Sequence, residues 1–128
     1  MHDPSEGWVR KAEGDARTAL RELAAGEAPN WDAVCFHAQQ VVEKYLKALL
    51  VRKETAFPRT HDLRVLLELA AKDHPDWRQE LEELSWLSFS AVEVRYPGEG
   101  ATRDTAERAV KVMQRWRSRL RTALGLSE

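Results

Sequence analysis

Three stretches of the sequence carry side chains that could do chemistry: Arg59-Thr60-His61-Asp62, Arg95-Tyr96-Pro97, and the polar set Gln39, Gln40, Glu43 and Lys47. A histidine titrates near neutral pH, so His61 could move a proton or donate to a phosphate, or it could simply bond a loop carbonyl. Arg95 offers a fork of donors that matches phosphate geometry, and Tyr96 beside it could stack or hydrogen-bond; Arg95 could equally cap a helix end, where a cation meets the negative end of the dipole. Glu43 and Lys47 are four apart, in the order that favours an ion pair on a helix.

Other chemistries find little support. Cys35 and His37 are two residues apart and would point to opposite sides of a helix, while His2, His61 and His74 lie in separate segments, so no metal site and no cofactor are expected. Gly98-Glu99-Gly100 follows no strand and is too short to cradle a dinucleotide. Cys35 reads as a small buried hydrophobe rather than a nucleophile.

The element that must position most of these groups is the stretch from Cys35 to Val51. At helical spacing, Trp31, Val34, Cys35, Ala38, Val41, Val42, Tyr45, Leu46 and Leu49 gather on one broad side and predict a core-facing stripe. A second side carries Phe36, Gln39, Gln40, Glu43, Lys47 and Leu50, apolar at its ends and polar between, so a further partner or ligand is expected there. This helix is predicted from Trp31 to about Arg52, capped by Asn30. Ahead of it, Asp3-Pro4-Ser5-Glu6 starts a helix that runs to about Ala25, in which Gly14 suggests a closely packed neighbour. Behind it, Phe57-Pro58 breaks the period and Thr60 is the expected cap of a third helix reaching about Lys72. Asp73-His74-Pro75 opens a fourth, which fails by Tyr96-Pro97-Gly98; Thr102 caps the fifth, and Gly125 stops it. No segment alternates as a strand does, so an all-α bundle of five helices is predicted, in a single domain over residues 1–128.

A chain of 128 residues with 43% hydrophobic and 32% charged residues has the composition of a soluble globular domain. No apolar run approaches the ~20 residues that span a bilayer, and the first residues lack a leader's apolar stretch, so a membrane is not expected as a partner. The single cysteine suits a reducing cytoplasm. A net charge of -1 gives no general attraction to nucleic acid, but it hides an asymmetry. Residues 103–128 are basic, with Arg108, Lys111, Arg115 and Arg119 in one stripe, and residues 61–94 are acidic. The stripe could track phosphates, stay solvated, or pack against the acidic segment.

Taken in order, Trp8 to Ala19 (W-V-R-K-A-E-G-D-A-R-T-A), Cys35 to Val51, Pro58 to Leu63 (P-R-T-H-D-L) and Arg95 to Gly98 (R-Y-P-G) resemble the HEPN domains (higher eukaryote and prokaryote nucleotide-binding), in particular their small stand-alone prokaryotic branch. The resemblance implies an antiparallel helical bundle that pairs into a homodimer, often beside a minimal nucleotidyltransferase. Many relatives are ribonucleases, frequently toxins of toxin-antitoxin pairs, whose signature is an arginine followed four to six residues on by a histidine at the dimer cleft. Arg95 is the candidate arginine, but Tyr96 to Thr102 contains no histidine, so the signature is incomplete.

The sequence therefore favours a homodimeric module that binds a nucleotide or RNA and works with a nucleotidyltransferase. Lys47, His61, Arg95 and Tyr96 are its binding candidates, and Phe36, Gln40, Glu43 and Lys47 its dimer or cleft face. The rivals are a metal-independent endoribonuclease using Arg95, His61 or Tyr96, and a plain interaction module.

Overall fold

The computed structural model describes residues 3–92 and 100–127, and every regular element among them is helical. Helix α1 spans Pro4–Leu23, α2 Trp31–Arg52, α3 Leu63–Ala70, α4 Leu81–Val92 and α5 Arg103–Ala123, with a 3₁₀ segment, Pro75–Glu80, leading into α4. The expected five-helix bundle is what forms.

The helix starts show why. Asp3 accepts from the amide of Ser5 at 2.9 Å and from its hydroxyl at 2.8 Å, with Pro4 preset in the first turn. Asn30 accepts from Ala33 at the head of α2, and Thr102 from Thr105 at the head of α5. Gly125, at a φ of 75°, closes the last turn in the left-handed conformation that suits glycine.

Helix α2 is the axis of the bundle. It packs against α1 and α5 along its length and also touches α3 and α4. Helix α1 runs antiparallel to α2, since Asp3 meets Arg52 while Asp15 meets His37, and the chain through Glu80 and Trp86 runs antiparallel to α5, since Glu80 meets Arg119 while Trp86 meets Arg108. Val34, Cys35, Ala38, Val41, Val42, Tyr45, Leu46 and Leu49 are buried as the stripe predicts, with Trp31 half-buried at its start. The opposite side is buried as well: Gln39, Glu43, Lys47 and Leu50 are all covered, and between Val41 and Leu50 only Lys44 is less than fully enclosed. Leu63, Leu66 and Leu67 of α3, Leu84 and Leu87 of α4, and Met113, Trp116 and Leu120 of α5 complete the core. Each such side chain is worth about 1.5–3 kcal/mol of burial.

Several boundaries depart from expectation. Asp62, not Thr60, caps α3: its carboxylate accepts from the amide of Arg64 at 3.0 Å, while the Thr60 hydroxyl accepts from the amide of Asp62 and shapes the turn before it. The helix ends at Ala70, short of Lys72, and α1 ends at Leu23, short of Ala25. What was expected as a plain fourth helix opens as a 3₁₀ segment. There the i and i+3 positions eclipse, and the rings of His74 and Trp77 stack at 3.9 Å with Trp77 edge-on to Trp116. Among the described residues, a methyl group at Gly14 would meet only the tip of Arg17, at 3.8 Å. The turn expected at Tyr96-Pro97-Gly98 lies outside the described residues.

Candidate functional site

The second side of α2 holds a carboxylate taken almost wholly out of water. Glu43 is 2% exposed. It accepts from Lys47 Nζ at 3.0 Å, Gln39 Nε2 at 3.2 Å, Gln40 Nε2 at 3.3 Å and His61 Nδ1 at 3.1 Å. A buried carboxylate is tolerated only when paired and hydrogen-bonded, and helical spacing supplies three of these donors: Gln39 and Lys47 lie one turn either side of Glu43, and Gln40 three residues before it. Lys47 is itself enclosed, with its ammonium 5.4 Å from the centre of the Trp8 ring.

His61 reaches this cluster from the segment before α3. Its backbone carbonyl accepts from Gln39 Nε2 at 2.9 Å and from Ser88 Oγ at 3.3 Å, while the amide of Leu63 donates to Ser88 Oγ. The main chain at His61 is thus pinned between α2 and α4, and Glu43 fixes the ring. With Nδ1 against Glu43, Nε2 is the ring nitrogen that this contact leaves unused. The side chain is 74% exposed. It stands at the rim of a cavity of about 360 Å³ lined also by Asp62, Arg64, Ser85, Ser88 and Phe89. A histidine oriented by a buried carboxylate with its far nitrogen presented to a cavity can exchange protons or bond an anion.

Of the sequence candidates, His61, Gln40, Glu43 and Lys47 come together here. Lys47 meets Glu43 rather than the surface, and Glu43 is covered within one chain, so only Phe36 and Gln40 of the expected dimer or cleft face present surface. Phe36 lies edge-on to the ring of His37. Arg95 and Tyr96 lie outside the described residues. Sequence reasoning took Ser88, which ties α4 to His61, only as an alternative to Leu87 in the helical repeat Trp77, Leu81, Leu84 and Ala91, and passed over Phe89, which falls off that repeat. An aromatic residue out of step with its own helix was the available signal.

The basic stripe of α5 is largely spoken for. Arg115 pairs with Glu80 at 2.6 Å and with Glu83, Arg119 bonds Glu80 and lies over Trp116, and Arg108 lies 3.7 Å over the Trp86 ring. The basic and acidic segments pack on each other. These groups surround a polar cavity of about 670 Å³ that includes Glu82 and Gln79.

A second ionic cluster ties α1, α2 and α5. Arg117 holds Glu13 in a two-pronged pair with both contacts at 2.7 Å, Tyr45 donates to the same carboxylate at 2.5 Å, and Arg121 donates to the Tyr45 oxygen at 2.9 Å. Arg117's hydrogen bonds outweigh the cost of burial and hold Glu13 below the usual carboxylate range, helped by Tyr45. Burial, and then the bond to Glu13, push the Tyr45 phenol up to about 12. Every group in it has a partner, which marks it as structural.

Among the described residues no group of three or more His, Cys, Asp or Glu is placed to hold a metal ion. No helix among them is long and apolar enough to cross a membrane. No curated protein and no solved structure matches the chain. The family model of the HEPN domain matches residues 5–121, nearly the whole length, and the protein belongs to the HEPN domain family.

Proposed function

We propose that this protein is a nucleotide- or RNA-binding HEPN module, a single domain over residues 1–128 that acts as a cytoplasmic homodimer with a minimal nucleotidyltransferase. The observation that supports the binding role best is His61, held by a buried carboxylate and turned toward a cavity. Such a contact favours one orientation of the imidazole, at the energetic cost of burying Glu43 and Lys47. In this reading His61 contacts phosphate, with Arg95 and Tyr96 contributing from beyond α4. Gln40, Glu43 and Lys47 act through His61 rather than touching ligand.

Calorimetric titration with nucleotides and with short RNA tests the role. Binding by the wild type that weakens in His61→Ala and in Arg95→Ala is the expected result; no heat with any of these ligands would refute it. Light scattering that finds a monomer at micromolar concentration would remove the homodimer, and the absence of a small nucleotidyltransferase frame beside the gene would count against the partner.

The Glu43–His61 pair also supports a second reading, metal-independent RNA cleavage. His61 Nε2 would take the proton of a ribose 2'-hydroxyl as its oxygen attacks the adjacent phosphorus. The bond to the departing 5'-oxygen breaks, and a second acid, such as His61 of the other subunit, returns a proton to it. Labelled RNA incubated with protein in chelator would be cut by the wild type and spared by His61→Ala if this holds. Intact RNA in both would set it aside.

A further inference from the structure

The cavity beside His61 contains a side chain that packing does not account for. Phe89 is 60% exposed, more than Leu20, Phe36 or Val65, although its own helix buries Leu84 and Leu87. Exposed apolar side chains are common and by themselves mean little. Phe89 differs by its company. It shares the cavity with an oriented histidine and with Arg64, which lies 4.0 Å from Asp62, a carboxylate that also lines the cavity and caps α3. The Arg64 side chain is 58% exposed, and a guanidinium carries five N–H donors. Ser85 adds a hydroxyl to the lining.

We propose that Phe89 is a stacking platform for one unpaired base of a single-stranded nucleic acid, with the phosphate of that nucleotide received by His61 and Arg64. The inference rests on the nucleic-acid reading above and names the part of the ligand this site takes. Every base offers a flat face to an exposed aromatic ring, whereas bases in a duplex are already stacked on one another. Geometry favours the arrangement, because the Arg64 guanidinium and the His61 ring border the same space as Phe89. Openness points to a strand rather than a free nucleotide. Sites for small molecules typically enclose about 70–90% of the ligand, and here both His61 and Phe89 face solvent.

Fluorescence anisotropy with an end-labelled single-stranded RNA at low ionic strength tests this. Phe89→Ala should raise the dissociation constant at least about fivefold, and Phe89→Tyr should stay within about twofold of the wild type, the loss expected for one stacked base. The same RNA as a duplex, and uridine monophosphate, should compete poorly. Wild-type affinity in Phe89→Ala would overturn the stacking role while leaving the binding module intact. Tight binding of the mononucleotide but not the strand would do the same. A change in molecular mass for Phe89→Ala with unchanged affinity would assign the ring to a protein interface and also overturn it. No binding of any of these ligands by the wild type would remove both this inference and the function it rests on.

Discussion

Glu43 and Lys47 face each other on unequal terms. Lys47 has one anionic partner and an aromatic ring, whereas Glu43 keeps Gln39, Gln40 and His61 even without Lys47. Removing one side of a buried pair costs several kcal/mol because the other charge is left without compensation. Glu43→Ala should therefore destabilise the protein by about 3 kcal/mol or more, and Lys47→Met by distinctly less, perceptible as a smaller shift of the urea midpoint at unchanged slope. Equal losses would show that Lys47 is the main counter-charge and that the amides contribute little. The residue scale also shows what was legible. The types and spacing of Gln39, Gln40, Glu43 and Lys47 announced a face with work to do. That the work includes gripping a histidine 18 residues further on was not legible, because Glu43 and His61 meet only once the third and fourth helices fold back over the second.

At the scale of elements, caps and breakers carried most of the information. The bounds of α2 and the cap and stop of α5 follow from Asn30, Thr102 and Gly125, whose roles are local. The 3₁₀ entry to α4 escaped prediction since it depends on Trp77 reaching Trp116, a contact across the fold. Gly14 misled for the opposite reason: a mid-helix glycine commonly marks a close approach, and here only the tip of Arg17 comes near among the described residues. Gly14→Ala should accordingly stabilise the protein by about 0.5–1 kcal/mol, the helix propensity difference alone. A lower melting temperature for this variant would reveal a contact at Gly14.

At the scale of the molecule, Glu13 joins three helices through Arg117 and Tyr45. Its carboxyl is held below its ordinary value of 4.5, so the folded state binds its proton less readily than the unfolded chain. The resulting stability is present above the ordinary value and is lost as the pH falls through the depressed one. Denaturation midpoints should fall as the pH drops below the ordinary value of 4.5, and Arg117→Met, weaker at neutral pH, should show a shallower fall on the acid side. Parallel profiles for the two proteins would place the acid sensitivity elsewhere. The other large-scale feature, the charge asymmetry between the fourth and fifth helices, was visible in the sequence as an alternative between a nucleic-acid stripe and internal pairing. Only the register of α4 against α5, which sets Arg115 beside Glu80 and Glu83, decides for pairing.

Arg52, at the far end of α2, bonds Asp3 and Ser5 at the start of α1 and the carbonyl of Leu124 just past α5. The first and last helices are therefore stapled to one residue at one pole of the bundle. Their tips can be joined by a short polar tether and the chain reopened in the turn between α1 and α2, giving a permuted connectivity with the packing unchanged. Tags or fluorescent reporters placed at both tips would crowd that shared pole.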